Sequence, residues 1–179
     1  MYLQGKQLMQ SREISREDDI DFITYHVTAA AYTLRGEMLR LAVSHVLLGF
    51  QAALNVGLNN QDRWYTTPLE LVPRKALWWT LYFQDKYITE KCGIAYFIRE
   101  SEVAVSDFRA GVVDGPGDRE IDAPKRELLQ NFVIYCKLWT QIWDDFFAPG
   151  ARRAGKWDEI EIMDARITAS QQQTPPRLI

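Results

Sequence analysis

The sequence predicts an all-α fold: a helical bundle of about four to five helices with an N-terminal arm and a partly extended C-terminal tail. Three observations carry this expectation. Apolar residues recur in steps of three and four over long windows. Helix start and stop residues bracket those windows. Strict alternation, the mark of a strand, is confined to a few residues near the C-terminus. The chain has 179 residues, 47% of them apolar and 12% aromatic, which is enough for a substantial core in one domain. That domain is expected over 15–148, with the arm at 1–14 and the extension at 149–179.

The first helix starts in "SREDDIDF". Ser15 is an N-cap type, and the acids after it complement the backbone dipole. Small and apolar residues follow at Ile20, Ile23, Val27, Ala30, Leu34, Met38, Leu41, Leu48 and Ala52, and the pattern stops at "GLNNQD". A break or bend is expected near Gly36. "TTPLELVP" reads as a short helical start interrupted by Pro73, which is placed at the first position of a new helix running through "RKALWWTLYFQDKYITEKCGIAYFIRES". Gly93 is a possible split in it. A loop around "DGPGD" follows, then a helix opened by Pro124 and closed by Pro149-Gly150. Beyond it, "EIEI" (159–162) alternates like a short strand, and "TASQQQTPPRLI" is too polar to order on its own. The strand would need a partner, either the 101–113 segment or another chain.

The formal net charge of −3 supplies no global field toward nucleic acid or an anionic membrane. The N-terminal run lacks the layout of a signal peptide, and the most apolar run, 42–58, is too short and polar to span a bilayer. Cys92 and Cys136 have no metal-ligand spacing and read as reduced, packed thiols. These points lead to the expectation of a soluble, cytoplasmic chain without membrane contact. No metal and no cofactor is expected.

The helix over 125–147 carries the main functional expectation. One apolar row holds Leu128, Phe132, Tyr135, Trp139, Ile142 and Phe146. A second holds Leu129, Val133, Cys136, Trp143 and Phe147. A surface helix of a small monomer needs one stripe of roughly 100°, and these rows cover well over half the circumference. Phe132, Tyr135, Trp139, Trp143, Phe146 and Phe147 are therefore the expected interface residues of an interaction or assembly subunit, a homo-oligomer or part of a larger complex.

Other constellations carry alternatives. His45 lies on an apolar stripe, where a hydrogen-bonded packing role is the simple reading. Arg40 stands five residues before it, and this Arg-x4-His string resembles the short motif of the HEPN superfamily, compact all-helical domains that include many metal-independent ribonucleases. The resemblance implies His45 as general acid/base and Arg40 as stabiliser of phosphorane charge, with the two meeting across a dimer cleft. His26 lies 19 residues before His45, about 28 Å away along a continuous helix, so the two meet only if the chain folds back at Gly36. The acids at 17–21 and Asp144-Asp145 read as solvated charge. Arg152, Arg153 and Lys156 beside Trp157 are the candidate for single-stranded nucleic acid, in a ribonucleoprotein or virion subunit. Trp78 and Trp79 fall in helical register and are expected in the core.

Overall fold

A computed structural model of the chain describes residues 20–64, 68–108, 123–151 and 156–173. The predicted arm, the Ser15 cap, the "DGPGD" turn, Arg152, Arg153 and residues 174–179 lie outside the described residues. The fold is all-α. Its helices are α1 (Ile20–Arg35), α2 (Leu39–Asn55), α3 (Pro68–Cys92), α4 (Ala123–Ile142) and α5 (Trp157–Gln173), with short 3₁₀ turns at Gln61–Arg63 and Glu100–Glu102. The described residues form two compact units: 20–106 holds α1 to α3, and 107–173 holds α4 and α5.

The break expected near Gly36 is a three-residue turn that makes α1 and α2 an antiparallel hairpin. α1 ends in a Schellman cap: Met38 N–H donates to the Thr33 carbonyl (2.9 Å) and Glu37 N–H to that of Leu34 (3.1 Å). The same pair of bonds closes α2 at Gly57 and Leu58, and α3 at Gly93 and Ile94. The motif needs one left-handed residue. Gly57 (φ 71°) and Gly93 (φ 64°) supply it freely, whereas at the first turn it is Glu37 (φ 57°). A β-carbon in that region costs about 1 kcal/mol. Glu37→Gly is therefore expected to stabilise the chain by about 0.5–1 kcal/mol in urea unfolding. Gly57→Ala, whose new methyl would meet nothing within 4 Å, is expected to destabilise it by a similar amount.

α3 corrects two expectations. The helix is already formed at Pro68, and Pro73 sits within it in the second turn. The pyrrolidine there removes only the bond to the Leu69 carbonyl, near an end where few such bonds exist. The helix also does not continue to residue 101. It stops at Cys92, because the left-handed Gly93 caps it and the backbone amides of Phe97 and Ile98 are engaged elsewhere, by Asp85.

The core of the first unit gathers Phe22, Ile23, Ala30, Val46, Trp78, Leu81 and Tyr82. At Gly49 all three of its helices come close: a β-carbon there would stand 3.3 Å from His26 Cβ and 3.4 Å from Leu81 Cδ1. Gln84 Nε2 donates to the Val27 carbonyl (2.8 Å), tying α3 to α1. The segment after α2 pairs with 102–106. Gln61 N–H donates to Ala104 O (2.9 Å), Ala104 N–H to Asn59 O (2.8 Å), and the Gln61 side chain accepts from Ser106.

Two tail expectations are overturned. Residues 159–162 are helical, inside α5, and 168–173 continue that helix rather than standing as irregular chain. Residue 104 pairs with 59–61, not with the tail. The alternation spans only four residues, while Ile160, Met163 and Ile167 keep helical spacing across a longer window, and Asp158 and Glu159 suit a first turn.

Candidate functional site

In the α1–α2 hairpin the turn at 36–38 brings His26 and His45 together, with their Nδ1 atoms 2.9 Å apart. At that distance one ring donates Nδ1–H and the other accepts, so the pair holds a shared proton and at most one ring is charged without strong repulsion. Burial holds His26 down at about 4, and the charge of His45 adds to the effect. Phe22 and Tyr25 pack edge-on against His26 (centroids 4.5 and 5.1 Å), and Tyr25 also meets His45 (6.1 Å). Arg40 is exposed in the first turn of α2. Two imidazoles alone make an incomplete metal site, and among the described residues no three His, Cys, Asp or Glu side chains come together.

α3 carries a second polar site. Asp85 and Lys86, consecutive on the helix, are both fully buried and form an ion pair at 3.0 Å. The Asp85 carboxylate accepts the Phe97 and Ile98 amides (2.9 Å each), and Lys86 Nζ donates to the Ile98 carbonyl. The ammonium also lies over the rings of Tyr96 (3.8 Å) and Tyr82 (4.4 Å), and the Tyr82 hydroxyl donates to Glu100 (2.6 Å). This network fastens 96–100 onto α3. Sequence reasoning missed it. The signal was there: "QDKY" has Leu81, Tyr82 and Ile88 within one turn of it, and Trp78 two turns before it. With both charges sealed from solvent, the arrangement holds a loop and offers no surface to a substrate.

The second unit carries the predicted aromatic residues. α4 runs into a π-turn over Trp143–Phe147, closed by Ala148 N–H donating to the Trp143 carbonyl (2.8 Å). Trp139, Trp143 and Phe147 form a three-ring cluster with centroids 6.1–6.4 Å apart. Phe132, Tyr135, Trp139, Trp143 and Phe146 are half-buried, while Phe147 is 62% exposed. Trp139 Nε1 is buried without a hydrogen-bond partner. An open groove of about 420 Å³ lies between α5 and the end of α4, walled by Ile142, Phe146, Phe147, Ile160, Met163 and Ile167, with Asp164 the one charged side chain on it among the described residues. Arg166 donates to Gln141 (2.6 Å) beside a second groove, across the same helix pair. At the start of α5, Trp157 is 76% exposed next to Lys156, and Asp158, Glu159 and Glu161 follow at once.

No protein-family model, no curated protein and no solved structure matches the chain. Among the described residues, no helix is long and apolar enough to cross a membrane.

Proposed function

We propose that the chain is a non-enzymatic assembly subunit that associates with copies of itself through the apolar surface shared by the end of α4 and α5. The observation that carries this reading is the groove. A two-helix unit leaves Ile142, Phe146, Phe147, Ile160 and Ile167 lining an open apolar trough, and Ile162 and Trp157 elsewhere on α5 are more than half exposed. Apolar surface of this extent on a small unit marks a contact site. Covering one such large side chain contributes about 1.5–3 kcal/mol, and Phe and Trp are the residue types that dominate contact energies. In this reading α5 holds the subunit to its neighbour. The unbridged Cys92 and Cys136 support a reducing compartment, and the proposed location is the cytoplasm.

The test is a charge placed in the trough. Phe147→Glu is expected to lower the mass measured by light scattering after size exclusion to that of a smaller species, with the helical circular dichroism unchanged, since Phe147 is mostly exposed. An unchanged mass would remove the groove from the contact.

A further inference from the structure

A second apolar face lies in the other unit, on α2. Leu41, Leu47, Leu48 and Leu54 are each 40–46% exposed. With exposed Ser44 and Gln51 between them, they fill an arc of about 140° on one side of the helix. No Asp, Glu, Lys or Arg occurs from residue 41 to residue 61, in a chain where a quarter of the residues are charged. A solvated helix face of this length ordinarily carries charge.

We propose that α2 is a docking face for a second copy of this chain, packed about a two-fold axis near Leu47 and Leu48. The missing charge favours that occupant. In a two-fold contact each residue near the axis meets its own copy, so any charge there faces its like. α2 has none in the middle, and its one charged residue, Arg40, stands at the first turn. In an antiparallel pairing the two Arg40 positions lie about 22 Å apart along the helix. A charged partner would find nothing to pair with. A membrane-surface helix would carry Lys and Arg along its polar face, and α2 carries only Arg40. Its residues belong to the first unit, and those of the α4–α5 groove to the second. A subunit with two self-complementary faces forms chains or closed rings in which the two contacts alternate.

The test uses the full chain. In the Phe147→Glu background, which removes the groove contact, light scattering is expected to give a dimer, and adding Leu48→Glu is expected to weaken self-association about 100-fold, leaving a monomer with unchanged helical dichroism. A second arm keeps the leucines: Ser44→Cys and Gln51→Cys are each expected to give a covalent dimer with a short bis-maleimide, well above the unmodified chain that carries only Cys92 and Cys136. The proposal is overturned if Phe147→Glu alone is monomeric and neither cysteine variant cross-links above that background; the groove reading then stands by itself. A mass lowered by Leu48→Glu and untouched by Phe147→Glu would support the α2 face and remove the groove. Binding of the Phe147→Glu chain to neutral or anionic vesicles, with no self-association, would also overturn it.

Discussion

Asp85→Ala is expected to cost about 3–5 kcal/mol of stability, the largest effect of any single substitution considered, although the residue touches no surface. The carboxylate is fully buried and has three partners: Lys86 Nζ and the amides of Phe97 and Ile98. Its removal leaves an ammonium in an apolar interior without its counter-charge and two amides without an acceptor. Lys86→Met is expected to cost less, because the Asp85 carboxylate keeps both amides and Met fills most of the same volume. The ordering is the informative part. Urea or thermal unfolding of the two variants should show Asp85→Ala well below Lys86→Met, with a midpoint lowered by about 10 °C from the parent. A loss under about 1 kcal/mol for Asp85→Ala would mean that water reaches this pair in solution.

Acid is expected to weaken the first unit through the histidine pair. His26 titrates at 6.5 when unfolded and at about 4 when folded. Between these values the unfolded chain holds a proton that the folded chain does not, so stability is complete above pH 6.5 and falls as the pH drops toward 4. The total loss is about 3 kcal/mol, and about 2 kcal/mol of it is lost between pH 7 and pH 5. The repulsion has a specific place: a second proton on the pair sets two charges across a 2.9 Å contact between α1 and α2. His26→Gln, which cannot titrate, should flatten the stability profile between pH 7 and 5. Carboxylate protonation accounts for what remains below pH 5. An unaltered slope in that variant would assign the acid sensitivity to other groups.

The helices were legible in the sequence because steps of three and four persist over whole elements, and the stop at Gly57 because a left-handed cap favours glycine; Gly93, read only as a possible split, ends its helix by the same cap. At the first turn the same motif was hidden: Gly36 drew attention, but the left-handed residue is Glu37 beside it. The α5 helix was obscured by reading "EIEI" in a window of four, which holds one full alternation but barely one helical turn; the spacing of Ile160, Met163 and Ile167 shows only in a longer window. The His26–His45 contact was legible only as a condition. It required a reversal at Gly36, and a three-residue connection meets that condition. The burial of Asp85 and Lys86 was missed although apolar neighbours flank them, since charged residues on a helix read as solvated until the 96–100 segment is known to cross over them. The breadth of the α4 apolar face was visible from spacing alone.

The most direct measurement is the mass of the unmodified chain followed over a dilution series by light scattering or sedimentation equilibrium. Self-association through the α4–α5 groove predicts species larger than the 20.8 kDa chain, falling toward that value only as the solution is diluted. A single mass of one chain at every concentration would contradict it.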